Sequence, residues 1–384
     1  MKQTHHIGYV QTPSVKNLSN VKNALVENGL VSLTTPNEML PDAIEKGLVE
    51  FENEILNRAK DYGIIYEGKF RIRYFDIDGT ILKIEYVENG GKLTPPDNPS
   101  YDSDYLIFDK WNYDIENYIV YRPTDIGAIY DTIDGSTYMF CRFSANTGLN
   151  PTLAVSNFTS IDWGDGSVNT SKSHTYAKDG EYIIKINGEI KLYGSTTTKL
   201  FGSEKCNQAL KKIYIGTNHQ SHCDNMVSQT YNLEIISLPH NLKQLQNSFN
   251  YLNKLSMFII PPQIKTIQGL SSIVCKYISL PDAVTNFATS GLTYCSLIKD
   301  IIISKSVISI DTASFKSMYA ENIFIYCENI PKLTAGAFDG NDGAIFWVKD
   351  NIIEQLKVAT NWSNYASQLK PQSWYPSLTD PNAE

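Results

Sequence analysis

The chain has 384 residues, 42% apolar and 19% charged, with a formal net charge of −8. That balance excludes a disordered chain, which buries too little apolar surface to offset its ordering entropy. The negative charge excludes a general binder of nucleic-acid backbone, which needs clustered positive charge.

Residues 1–68 stand apart from the rest. The segment Met1-Lys2-Gln3-Thr4-His5-His6 has no apolar core of a secretory signal, so none is expected. Apolar positions Ile44, Leu48, Phe51, Ile55, Ala59 and Tyr62 recur at helical spacing, and Pro41 and Gly63 suit the two ends. The spacing predicts a helix over 41–62. It is either an attachment or coiled-coil helix or an ordinary amphipathic helix packed on its own domain.

From residue 69 the pattern changes to strands. Phe70–Phe75 and Ile81–Val87 alternate around Asp78-Gly79, a strong hairpin signal. Gly90-Gly91, Pro96 and Pro99 follow, and an aromatic strand ends at Trp111. With Tyr74, Asp76, Asp78, Gly79, Thr80 and Leu82, this run resembles the Listeria–Bacteroides repeat, also called the internalin B-repeat. The resemblance implies a small β-grasp-like spacer domain, with 69–145 as its span.

Residues 146–195 carry Trp163-Gly164-Asp165-Gly166, then His174-Thr175-Tyr176, then Gly180-Glu181-Tyr182. This series resembles the PKD domain and implies an immunoglobulin-like sandwich. Asp162 and Asp165 admit a calcium reading, but turn residues explain them better. His174 is expected to be structural, since no second ligand stands at metal spacing.

Residues 196–384 hold a repeated register. Seven short segments end their apolar pair at positions 215, 238, 260, 280, 303, 325 and 348, with separations between 20 and 23 residues. A period that steady marks a stacked solenoid. Ile236-Ser237-Leu238-Pro239, Ile278-Ser279-Leu280-Pro281, Ala313-Ser314-Phe315 and Ala337-Phe338 resemble the BspA-type leucine-rich repeat. The resemblance extends to a capping helix through Ile353 and Leu356 and an aromatic tail. The expected fold is therefore mainly β: an N-terminal α-helical segment, a β-grasp-like domain, a PKD sandwich and a capped leucine-rich-repeat solenoid.

Strand alternation assigns one outward residue to each repeat: Tyr214, Ser237, Ile259, Ser279, Ile302, Phe324 and Trp347. Five are apolar, where an exposed sheet face would be polar. Tyr214, Ile259, Ile302, Phe324 and Trp347 are thus a candidate binding face, unless the face packs on a neighbouring domain or subunit or the strands are buried on both sides. The 24 tyrosines suit adhesive contact or, more simply, strands.

Catalytic motifs are missing: no G-x-S-x-G, no Gly-Lys-Ser/Thr loop, no H-E-x-x-H. The six cysteines form no C-x-x-C pair and are expected as free thiols. His219, His222 and Cys223 cluster, but a polar loop explains them better than a metal. No enzyme activity, cofactor, metal, nucleic-acid partner or membrane insertion is expected.

These expectations converge on a phage virion protein of the tail, baseplate or capsid, made in the host cytoplasm. Residues 1–68 would join other virion proteins, a trimer being the favoured homo-oligomer, and the repeats would meet a host surface glycan or protein. The alternatives are a bacterial cell-surface adhesin and a structural decoration protein without receptor.

Overall fold

The computed structural model describes residues 65–66, 68–194, 197–220, 222–224 and 226–375, and from residue 68 on these belong to one compact unit, Glu67–Ser377. The helix expected over 41–62 and the attachment region 1–68 lie outside the described residues, except at their last positions. Among the described residues, no helix is long and apolar enough to cross a membrane.

The first sheet contains β1 (Lys69–Phe75), β2 (Ile81–Val87), β3 (Leu106–Trp111) and β4 (Thr124–Thr132). β1 and β2 form the antiparallel hairpin that Asp78-Gly79 signals. Gly79 turns at φ 90°, and the Asp78 carboxylate accepts the Thr80 amide at 2.8 Å. This turn chemistry follows from the residues, since Asp caps its own backbone two residues on and Gly takes positive φ without strain. β1 also runs parallel to β4, which pairs antiparallel with β3.

β5 (Thr137–Phe143), β6 (Val155–Asp162), β7 (Val168–Asn169) and β8 (Gly180–Leu192) come next. Here the structure departs from the expected sandwich. These strands share one sheet, and β5 pairs antiparallel both with β8 and with the first repeat strand, β9 (Leu210–Tyr214). β9 in turn pairs parallel with β10 (Ile235–Ser237). Residues 137–192 therefore extend the solenoid sheet and cover its first coil. The strand Thr137–Phe143, assigned by sequence to the spacer domain 69–145, belongs to this extension.

The remaining repeat strands are β11 (Met257–Ile259), β12 (Tyr277–Ser279), β13 (Asp300–Ile303), β14 (Asn322–Ile325) and β15 (Ile345–Val348). All seven expected repeat segments are strands. β11 pairs with β12, and β13, β14 and β15 stack in register, each pair parallel. Turns close behind several of them, with Leu242, Ile264 and Val284 amides donating to Pro239, Pro261 and Pro281 carbonyls. Proline cannot continue the ladder, so it ends each strand where the chain must bend.

Each coil then returns through a second parallel sheet: His222–Asp224, Gln244–Gln246, Thr266–Gln268, Asn286–Phe287, Ser309–Ile310 and Lys332–Leu333. Its inward residues Leu245, Ile267, Phe287, Ile310 and Leu333 meet Ile213, Ile236, Phe258, Ile301, Ile323 and Phe346 in one continuous core. That core also takes in Trp163, Tyr176 and Ile184, which is why residues 137–192 and the repeats are one body. The far end is closed by helix α1 (Ile353–Val358), by Trp362 and by β16 (Leu369–Pro371), which pairs parallel with β15. Trp362 lies fully buried and donates to the Pro331 carbonyl at 2.8 Å. The expected capping helix and aromatic tail are thus in place. An open solenoid end would otherwise expose core side chains and unpaired strand edges.

Candidate functional site

The outward column is where sequence placed a binding face, and its geometry decides the matter. Alternation does send these residues away from the main core: Ile213 and Phe258 point into it, whereas Tyr214 and Ile259 enter a second cluster. That second cluster is built with Ile72, Tyr74, Phe75, Ile126 and Tyr130 of the first sheet. The first sheet therefore lies on the solenoid face and covers it. The Tyr214 hydroxyl donates to Asp102 at 2.5 Å. Ser237 Oγ donates to the Tyr130 carbonyl at 3.3 Å, and Ser279 Oγ to the Asp125 carbonyl at 2.6 Å. Ile259 seats against Gly127, where even a methyl group would fall within 2.5 Å of its side chain.

The other end of the column is covered by the C-terminal tail. The Tyr375 ring packs edge-on against Phe324 and Trp347, each at 5.0 Å between ring centres. Trp347 Nε1 donates to Asn322 Oδ1 at 2.8 Å. Ile302 is half-buried beside a small cavity lined also by Tyr113, Arg122 and Asp300. Tyr214, Ile259, Phe324 and Trp347 are all under a tenth exposed. The expectation of a solvent-facing stripe is corrected: the column is an intramolecular interface, and its apolarity has burial as its cause.

Charge reinforces this seam. Arg73 forks onto Asp125 with bonds of 2.8 and 2.7 Å and lies over the Tyr277 ring at 4.7 Å. Arg122, almost wholly buried, pairs with Asp282 at 2.7 Å and bonds the Tyr113 hydroxyl at 2.8 Å. The Arg73 fork lies within the first sheet, while its stack on Tyr277 and the Arg122–Asp282 pair cross the seam, contacts that suit the planar guanidinium.

The other residues singled out by sequence have structural partners. Asp162 and Asp165 accept the Gly164 and Ser167 amides, as turn residues do. His174 stacks on Trp163 at 4.9 Å and meets Asp165 at 2.7 Å. The Tyr176 hydroxyl closes the motif on the Trp163 carbonyl at 2.8 Å. Asp78 holds its turn, and the buried Asp76 carboxylate accepts from Ile77 N–H and the Tyr130 hydroxyl. His219 is buried, with Nδ1 2.7 Å from the Gln220 carbonyl and Nε2 3.1 Å from the Leu192 amide. An amide can only donate, so Nε2 accepts and the ring is the neutral Nδ1–H tautomer. Burial pushes its pKa down to about 4. Both nitrogens are committed, which removes His219 from any metal cluster with His222 and Cys223, whose side chains lie outside the described residues. The five described cysteines are free and buried.

Two exposed features escaped sequence reasoning. The first is a ladder of left-handed residues, one per coil: Gln229, Tyr251, Ser272, Tyr294 and Ser317, with φ from 51° to 60°. Tyr319, two residues past Ser317, is left-handed as well (φ 55°). The ladder is in register, because Tyr251, Ser272 and Tyr294 amides donate to Ser271, Thr293 and Lys316 carbonyls. Tyr251, Tyr294 and Tyr319 are 41%, 48% and 62% exposed. Positive φ in a tyrosine has no sequence signature comparable to Gly or Asn-Gly. The second is an open polar groove on the second sheet, of about 640 Å³, lined by His240, Lys243, Gln244, Gln246, Gln263 and Lys265 among others. At its rim His240 Nδ1 lies 2.7 Å from Asp131 and 3.7 Å from Asp109.

Among curated proteins, none matches the chain. Residues 197–271 and 249–344 match the family described as BspA type leucine rich repeat region, in six copies, so the solenoid built by the repeat register is a repeat region of that type.

Proposed function

We infer that this chain is a non-catalytic binding protein that uses the solenoid as an adhesive surface. The observation that carries the reading is the exposed tyrosine row. A tyrosine held at positive φ costs on the order of 1 kcal/mol or more, and burial offsets that cost only where the ring is covered. Tyr251, Tyr294 and Tyr319 are covered only in part, 41%, 48% and 62% of their surface staying exposed. Coils stacked at about 4.8 Å set the ladder positions of Tyr251 and Tyr294 roughly 10 Å apart, and Tyr319 follows on the next coil, two residues past the ladder position held by Ser317. Tyrosine supplies large amphipathic contact area with few rotors to freeze, which suits recognition of a surface glycan or protein. A BspA-type repeat is itself adhesin-like, which agrees with this role.

In its finer form the proposal places the chain in a phage particle, at the tail, baseplate or capsid. Residues 1–68 attach it to other virion proteins, as a homotrimer, and the repeats face the host. What supports this setting is the series of spacer-like sheet and adhesive-type solenoid in one chain. Mass spectrometry of purified virions is expected to detect the chain, and adding free protein is expected to block adsorption. Detection on a bacterial surface and not in virions would replace the virion by the adhesin. Detection in virions without blocking would leave a decoration protein. The binding surface is tested by Tyr251→Gly, Tyr294→Gly and Tyr319→Gly together. Glycine relieves the backbone, so the fold is kept, and unchanged binding to host cells would remove the row as the site.

A further inference from the structure

We propose that Asp109, Asp131 and His240 form a binding site for a divalent transition-metal ion, zinc by ligand type, that clamps the first sheet onto the solenoid. One ligand atom from each, His240 Nδ1 and a carboxylate oxygen of each aspartate, lies within 4.8 Å of the other two. The nitrogen stands 2.7 Å from Asp131 Oδ2 and 3.7 Å from Asp109 Oδ2. A tetrahedral ion with bonds of about 2.0–2.1 Å separates its ligand atoms by roughly 3.4 Å, so the triad brackets the required spacing, and His240 and Asp131 must part by roughly 0.7 Å to admit the ion. Imidazole with two carboxylates is a donor set suited to zinc.

The three residues come from separate elements, and local structure aims each one. Asp131 lies on β4, opposite Ile107 of β3. The register between β3 and β4 slips between Phe108 and Lys110, which leaves Asp109 at a bulge. A bulge re-aims the side chain of the extra residue and is costly unless used. His240 follows Pro239 in the turn after β10, and its own amide lies 3.5 Å from Asp131 Oδ1. Gln263 donates to the His240 carbonyl from the next coil. The backbone of His240 is thus fixed by Asp131 on one side of the seam and by Gln263 on the other, which sets where its imidazole starts. Asp109 and His240 keep solvent access, and the polar groove beginning at His240 supplies the entry path and an open fourth position for water. Among the described residues the competing cation is Lys110, 3.2 Å from the same Asp109 oxygen.

The test titrates zinc into the chelator-treated full chain by calorimetry and follows thermal unfolding alongside. His5 and His6 offer an unrelated weak site, so the readout is the difference between wild type and His240→Ala. The expected result is one equivalent more in the wild type, with a zinc-dependent rise in Tm that both His240→Ala and Asp109→Asn abolish. Lys110→Ala, which removes the competitor without touching a ligand, is expected to bind zinc more tightly. Equal stoichiometry in wild type and His240→Ala would overturn the proposal and leave a plain histidine–aspartate ion pair. Unchanged affinity in Lys110→Ala would overturn the role of Asp109.

Discussion

Gly127 on β4 offers a direct test of whether the first sheet covers the solenoid. Its backbone has no positive φ to excuse a glycine; the reason is space. A Cβ there would lie 2.5, 2.6 and 2.7 Å from Cγ1, Cγ2 and Cδ1 of Ile259 on β11. Those separations are far inside van der Waals contact, and Ile259 is 6% exposed with no free direction in which to swing. Gly127→Ala is therefore expected to cost about 1–3 kcal/mol by overpacking. Ile259→Ala deletes buried methyls and is expected to cost about 2–5 kcal/mol. In the double variant the new methyl occupies the vacated room. The two changes should then fall short of additivity by about 1 kcal/mol or more, whereas independent sites add within about 0.5 kcal/mol. Urea midpoints of the four proteins, with m values checked for constancy, give the cycle. Strict additivity would refute the contact, and with it the claim that the sheet covers the column.

Three other outcomes follow from the same geometry. His219 has its folded pKa lowered from 6.5 to about 4, so the neutral ring contributes fully above pH 6.5 and that contribution is lost as pH falls toward 4. The loss is on the order of 3 kcal/mol, and His219→Gln should flatten the difference in urea midpoint between pH 7.5 and 4.5; an equal pH dependence in both proteins would sink the assignment. Asp125→Ala strips the buried Arg73 of its carboxylate and should cost about 3–5 kcal/mol, while Arg73→Met with Asp125→Leu should recover most of it in thermal unfolding. Tyr294→Gly should keep or raise stability by up to about 1 kcal/mol, and Tyr294→Val should lower it, because only glycine is at ease at φ 60°. A stabilising valine would mean that the left-handed bend is not imposed by the stacked coils.

What the sequence made legible is what repeats or is local. The seven strands could be placed because each needs an inward apolar pair, and that need recurs once per coil whatever the residues between. The hairpin at Asp78-Gly79 and the Trp163–His174–Tyr176 cluster could be placed because their chemistry closes within a few residues. Pairing of Thr137–Phe143 with Leu210–Tyr214 was not legible. Nothing in either segment names a partner about 70 residues away, and the Trp-Gly-Asp-Gly hairpin satisfies its own motif whether it sits in a sandwich or at the end of a solenoid. The triad of Asp109, Asp131 and His240 was hidden for the same reason, since its members stand on two strands and a distant turn.

The column of Tyr214, Ile259, Ile302, Phe324 and Trp347 shows how one observation changes meaning with its surroundings. Apolar residues pointing out of a sheet require a cover, and sequence alone leaves open whether that cover is a partner or the chain itself. Parallel strands buried on both faces read as near-continuous apolar runs, and Asn322-Ile323-Phe324-Ile325 and Ile345-Phe346-Trp347-Val348 are such runs. Once Gly127, Tyr130 and Tyr375 supply the cover, the apolarity of the column is accounted for by folding and no longer argues for recognition. The exposed tyrosine rings are what folding leaves without such an account. Tyr251, Tyr294 and Tyr319 carry backbone strain and leave 41%, 48% and 62% of their surface exposed, the first two at the ladder position of their coils and the third two residues past it. A strained side chain that keeps much of its ring uncovered within its own chain is the one whose remaining surface is expected to meet a partner.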